Sequence, residues 1–237
     1  MTVDERIDAL RMSGLRVRYG ALEALHGIDL AFPARGVTLL LGLNGAGKTT
    51  LLNTIAGLLR PATGTLEADL GRMTDLSRLP AADRANAGIT LVPDGGGVFG
   101  RLTVAENLDL FAGRGGDHQA ALAMFPELKR HLTRRAGTLS GGEQQMVALS
   151  RAALTPWRLL LVDELSHGLA ASLATRCYEL LAEEAHGPRP RSVVLAEPNS
   201  RHLLHLADHV VVLRRGEVSF TGLREQATAD VLAAAMA

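Results

Sequence analysis

The 237-residue sequence predicts an α/β fold that carries a phosphate-binding loop and is interrupted by a block of helices. Three observations predict it. Residues 37–41 form an apolar run that leads into Gly42-Leu43-Asn44-Gly45-Ala46-Gly47-Lys48-Thr49-Thr50, a G-x-x-x-x-G-K-T spacing between a strand and a helix. A second unbroken apolar run, 159–162, ends on Asp163-Glu164, the pattern of a central parallel strand. Between them, from residue 95 to about 156, helical patterns replace strands.

Taken in order, residues 14–18 and 27–32 alternate as strands, with Tyr19-Gly20 between them. The strand 37–41 feeds the phosphate loop, and a helix over 48–59 stops at the turn Pro61-Ala62-Thr63-Gly64. A strand at 65–70, a helix over 81–87 and a short buried strand at 89–92, ended by Pro93, complete the first part. Asp94-Gly95-Gly96-Gly97 is loop by composition. Thr103 and Glu106 then stand in capping-box spacing, and further helices fall at 120–125 and 142–154. The α/β pattern resumes with the strand 159–162, a helix over 172–186 and a strand at 192–196. A short helix at 201–207, strands at 209–213 and 217–220 around Arg214-Arg215-Gly216, and a final helix from Gly222 close the chain. The expected organisation is one domain, with 1–94 and 157–237 as α/β core and 95–156 as a helical subdomain.

Composition narrows the function. With 25 basic and 25 acidic residues the formal charge is zero, so no global basic field points to nucleic acid. Lysine occurs only at 48 and 129, which makes a lysine in the phosphate loop hard to assign to chance. The single Cys177 excludes an internal disulfide and reads as a small buried side chain in a helix. Residues 1–6 include acidic side chains where a signal peptide is basic, and no apolar run reaches bilayer length. A soluble, cytoplasmic chain is expected, with any membrane role exercised through partners.

The loop itself dictates chemistry. Glycines let its backbone fold tightly so that N–H groups point at phosphate oxygens, and the helix that follows adds its positive dipole end. Lys48 reaches the β- and γ-phosphates and the Thr49 hydroxyl can ligate Mg2+. Asp163, at the tip of its strand, suits the magnesium shell; Glu164 beside it can polarise a water for attack on the γ-phosphate. Ser140-Gly141-Gly142 opens the helix of the insertion with free N–H groups, a second anion site, while Ser140 and Glu143 also read as an ordinary capping box.

On these residues a resemblance becomes specific. Leu139-Ser140-Gly141-Gly142-Glu143-Gln144, placed between the phosphate loop and Asp163-Glu164, resembles the signature of ATP-binding-cassette (ABC) ATPases. The resemblance implies that Tyr19 stacks on adenine, although a plain surface or core tyrosine is the alternative. It also implies a head-to-tail dimer in which Ser140-Gly141-Gly142 closes on ATP held by the partner's phosphate loop. A narrower likeness spans almost the whole chain. The run 136–146, Met124-Phe125-Pro126-Glu127-Leu128, Val92-Pro93-Asp94-Gly95 and 102–108 are similar to the second ATPase subunit of branched-chain amino-acid (Liv-type) importers, and urea and amide importers share most of these features.

The chain departs from that pattern at several positions. Asp94 stands where most ABC ATPases have glutamine and the Liv-type subunit has glutamate; as a metal-facing residue it has a shorter reach. Pro198 stands where most have a histidine that contacts the γ-phosphate, and it offers neither a side-chain donor nor an N–H. Leu165 and His167 replace the family's proline and leucine after the catalytic carboxylate; His167 reads as an exposed loop histidine that could also serve the site.

The expected function is an ATP-binding and ATP-hydrolysing subunit that powers import of branched-chain or other small amino acids. Membrane permease subunits would be contacted by Asp94 and the helices after it, around Val98-Phe99 and Leu102. The competing readings are a soluble ABC ATPase acting on nucleic acid or ribosomes, disfavoured because the chain has neither a duplicated loop nor heptads, and a regulatory subunit that binds nucleotide but scarcely hydrolyses it, favoured by Asp94 and Pro198.

Overall fold

A computed structural model describes residues 8–95, 97–113, 116–167, 169–198 and 201–236. The first two strands, β1 (Asp8–Tyr19) and β2 (Leu22–Pro33), form an antiparallel hairpin. Both extend beyond the expected strands: residues 8–12 of β1 ladder with 30–33 of β2, and near the turn Arg16 and Arg18 pair with Glu23 on the solvent side. Register shifts between Met12 and Arg16 interrupt the alternation that the sequence displays. β4 (Thr63–Asp69) pairs with β1, and a three-residue strand, β5 (Met73–Asp75), adds to β4.

The larger sheet contains β3 (Gly36–Leu41), β6 (Ile89–Val92), β7 (Leu159–Asp163), β8 (Ser192–Glu197), β9 (His209–Arg214) and β10 (Glu217–Leu223), ordered β10-β9-β3-β8-β7-β6. All neighbouring pairs are parallel except β10 on β9. The final helix therefore begins later than Gly222, which lies in β10 opposite Val210; α7 runs over Ala229–Met236.

Both faces of this sheet are covered, which is why its strands read as continuous apolar runs. One face, including Leu40, Leu161, Val194 and Val211, packs with the hairpin sheet around α1 (Lys48–Ala56). The other, including Leu39, Leu160, Val193 and Val210, packs on the helices. Those helices are α3 (Val104–Ala112), α4 (Gln119–Met124), α5 (Gly141–Leu154) and α6 (Ala171–His186), with α2 (Ala81–Asn86) lying before them in the chain. Within 97–156, no strand occurs among the described residues; the one β contact is the bridge Thr103–Arg135. Capping boxes close α3 at Thr103–Glu106 and α5 at Ser140–Glu143, as the spacing predicts. The end of α1 is secured by Arg84, fully buried, whose guanidinium donates to the carbonyls of Thr54, Ile55, Leu76 and Leu79.

Topology positions the site. Adjacent parallel strands β3, β8, β7 and β6 all run the same way, so the segments after Leu41, Glu197, Asp163 and Val92 emerge at one edge. These segments carry the phosphate loop, Pro198, Glu164 and Asp94 respectively.

Candidate ATP site

The phosphate loop turns tightly from β3 into α1. A Cβ on Gly42 would lie 2.5 Å from the Leu213 carbonyl, and Gly47, at φ +105°, would drive one to 2.7 Å from Leu25, so side chains are excluded from both positions. Gly47 then serves as the N-cap of α1 with no side chain over the helix end. The first N–H groups of α1 are thus left open toward the loop, as an anion site needs. A cleft of about 440 Å³ opens here, lined among others by Asn44, Gly45, Gly47, Lys48, Thr49, Thr50 and Glu164. Leu43 is exposed on the loop and Ala46 is buried beneath it.

Lys48 is almost fully buried, its ammonium donating to the Gly42 carbonyl at 2.8 Å and lying 3.3 Å from Glu164 Oε1. Glu164 takes φ +45°, a left-handed conformation that costs a residue with a Cβ of order 1–3 kcal/mol and marks a constrained site. Its N–H donates to the Ala196 carbonyl at 2.9 Å, tying the segment after β7 to β8.

Asp163 is buried, and burial pushes its carboxyl above the usual range while the Thr49 hydroxyl, donating to it, works in the opposite direction. Its Oδ1 has no hydrogen-bond partner. An unpaired buried carboxylate oxygen beside a threonine hydroxyl is a hard-oxygen set suited to Mg2+. The residues present therefore fit that ion.

Asp94, 42% exposed at its side chain, accepts from His167 Nδ1 at 3.0 Å, and this partner raises the His167 pKa. Asp94, Glu164 and His167 bring ligand atoms within 4.8 Å of one another. His167 is exposed as expected of a loop histidine, yet it faces the site. Pro198 follows the buried Glu197; the next residue, Asn199, whose amide could donate, lies outside the described residues. Gly96, in the loop after Asp94, also lies outside them.

Tyr19 ends β1 with its ring half-exposed and its hydroxyl 3.4 Å from Thr50 Oγ1, beside the phosphate loop. Ser140, Gly141 and Gly142 stand at the start of α5. There Ser140 Oγ accepts from the Glu143 N–H at 3.3 Å, and Glu143 Oε2 accepts from the Ser140 N–H at 3.0 Å. His131 and Arg130 pair with the other oxygen of Glu143. Two features escape a reading of the sequence. The pairing of Asp94 with His167 joins segments brought together only by the β6–β7 register, and a buried network around Glu197 has no local pattern to announce it.

The chain was compared with known proteins. Residues 25–167 match the family model described as ABC transporter. The chain is 38% identical over 206 residues to the high-affinity branched-chain amino acid transport ATP-binding protein BraG of Pseudomonas aeruginosa, covering 84% of this chain and 86% of that protein. It is 33% identical to the probable branched-chain amino acid transport ATP-binding protein LivF of Archaeoglobus fulgidus, over 90% of this chain and 91% of that one. Its fold is shared, at TM-score 0.80 and 21% identity over 91% of this chain and 98% of the other, with the dimeric post-hydrolysis ATP-binding cassette MJ0796 bound to ADP and Pi. With a phosphate loop, buried strand-tip aspartate and capped Ser-Gly-Gly helix in that fold, the chain belongs to the ABC transporter family, as one of its ATPases.

Proposed function

We propose that this chain drives a membrane importer for branched-chain or other small amino acids, binding ATP between two ATPase subunits and coupling its hydrolysis to permease subunits. In this reading Gly42–Thr50 cradles the phosphates and Lys48 neutralises the γ-phosphate. Thr49, Asp163 and Asp94 would hold Mg2+, and Glu164 takes the proton of the attacking water. When bound, the ion neutralises charge that builds on the phosphate oxygens during transfer. Tyr19 stacks on adenine, and Ser140-Gly141-Gly142 reaches across to the ATP of the partner subunit.

The observation that carries the coupling role is a direct connection between two sites. A groove of about 690 Å³ runs between the core and the helices of 95–156, here proposed to be a distinct subdomain, and presents Leu58, Phe99 and Leu110, each more than half exposed. Pro93 lines that groove, and the next residue, Asp94, meets His167 beside Glu164. A helical segment from a permease seated on Phe99 and Leu110 would therefore press on the chain one residue from the hydrolytic site. No helix among the described residues is long and apolar enough to cross a membrane, so the proposed place is peripheral, on the cytoplasmic face, held by the permeases. Urea or amide import fits the same geometry; BraG and LivF favour the amino-acid reading.

The test is co-purification. Tagged wild-type protein isolated from detergent-solubilised membranes should carry two permeases, and Phe99→Asp with Leu110→Asp should lose them while still binding ATP. Recovery without integral membrane proteins, or with ribosomes instead, would reject the importer reading.

A further inference from the structure

Glu197 is a fully buried carboxylate at the end of β8, and the hydrolytic roles assigned above do not use it. Its Oε2 accepts from Ser166 Oγ at 2.8 Å. Its Oε1 accepts from the Tyr178 hydroxyl and, at 3.4 Å, from the Ser166 N–H. Ser166 stands two residues after Glu164, and Tyr178 belongs to α6, the helix which that loop enters. One residue before Glu197, the Ala196 carbonyl accepts from the Glu164 N–H at 2.9 Å. The tip of β8 therefore grips the catalytic loop twice in succession, by backbone at Ala196 and by side chain at Glu197. At its far end the loop rests on the signature helix, where Leu169 and Leu173 lie 3.5 Å from the place a Cβ on Gly142 would occupy.

We propose that Glu197, with Tyr178, is a positioning residue for ATP hydrolysis: through Ser166 it holds Glu164 in its left-handed turn, facing Lys48. This rests on Glu164 being the base. Two physical points support it. A buried carboxylate is an inefficient way to gain stability, since well-packed apolar side chains do as well or better, and its better-attested benefit is a specified arrangement. The turn it braces is one that a residue with a Cβ leaves readily unless its surroundings hold it there. Three donors converging on one buried carboxylate, two from the loop and one from α6, supply that hold.

The experiment uses full-length protein with Ser166→Ala, Tyr178→Phe, Glu197→Gln, and Ser166→Ala combined with Glu197→Gln; Glu164→Gln is the reference. Binding of a labelled ATP analogue, single-turnover hydrolysis and thermal midpoint are measured on each. Ser166→Ala and Glu197→Gln should each lose about 10- to 100-fold in hydrolysis, the scale of a misplaced catalytic group, with affinity for the analogue within about twofold. The double variant should be little slower than either single one, because Ser166→Ala removes and Glu197→Gln weakens the same charge-assisted contact. Wild-type hydrolysis with a lowered thermal midpoint would overturn the positioning role, as would a double variant whose losses multiply. If Glu197→Gln does not fold, Ser166→Ala and Tyr178→Phe, which remove only a hydroxyl, decide the matter by the same outcomes. Glu164→Gln that hydrolysed like wild type would overturn base and positioning role together. An inactive Glu164→Gln beside a fully active Ser166→Ala would overturn the positioning role alone.

Discussion

Lys48 and Glu164 are in contact, ammonium to carboxylate at 3.3 Å, so the cation proposed to meet the phosphates and the carboxylate proposed as base hold each other at the mouth of the loop. An incoming γ-phosphate must share Lys48 with Glu164. Lys48→Ala should abolish binding of a labelled ATP analogue, and Glu164→Gln should tighten it by about fivefold, the worth of an ion pair of roughly 1 kcal/mol. Equilibrium binding on the two variants checks both signs; undiminished binding by Lys48→Ala would remove this loop from the nucleotide site.

Dimer formation is expected to depend on ATP and on the helix opening at Ser140. Glu164→Gln should shift to a dimer with ATP in size-exclusion runs, alone or mixed with a second ATPase subunit. Adding Ser140→Arg fills the cap with bulk and breaks the hydrogen bond to the Glu143 N–H, and the shift should disappear. A double variant that still dimerised with ATP would refute the head-to-tail arrangement for this chain.

Hydrolysis at this site should be slow. Losing one transition-state donor typically costs about 2.7–4 kcal/mol, or about 10²–10³ in rate, and Pro198 can supply none. His167, facing Glu164 and held by Asp94, is the described residue best placed to compensate. Single-turnover rates should therefore rise by about tenfold or more in Pro198→His and fall further in His167→Ala; Asn199→Ala completes the set. Fast wild-type turnover indifferent to all three changes would show that position 198 does not limit catalysis.

The signature helix should show a pH dependence of known sign. Hydrogen bonding from the Ser140 N–H, first, and then the nearby hydroxyl and cations hold the Glu143 carboxyl below its ordinary 4.5. A depressed carboxylate contributes stability that is complete above its unfolded value and is lost as pH falls through the folded one. The difference in urea midpoint between wild type and Glu143→Gln should be constant near neutrality and shrink as pH drops below about 4.5. A gap unchanged at pH ~3 would mean that the charge on Glu143 does not support the cap.

What the sequence disclosed was chemistry confined to contiguous residues. Gly42–Thr50, Asp163-Glu164 and the two capping boxes need only a strand tip or helix start to take shape, and local spacing reveals both. Long-range effects stayed hidden. β5 is three residues at a sheet edge, too short for any periodicity, and β1 and β2 conceal their length behind bulges and paired charges. Gly222 looks like the start of a helix but is drawn into β10 by its partner Val210. The contact of His167 with Asp94 arises because β6 and β7 run side by side, and the grip of Glu197 on Ser166 because β8 lies next to β7. Neither follows from the residues flanking those side chains.

The scarcity of lysine has a practical outcome. Of the two side-chain amines, that of Lys48 is buried in the phosphate loop, whereas Lys129 is exposed on the turn that also carries Arg130 and His131. The lone thiol, Cys177, is buried in α6 with its pKa pushed up to about 12, so it resists maleimides. Among side chains, amine-reactive dyes should accordingly mark Lys129, with the chain's α-amino group reacting beside it. Once the α-amino group is blocked, the reporter sits beside the cluster that anchors Glu143, where the proposed approach of a second subunit can be followed by fluorescence without engineering a cysteine into the protein.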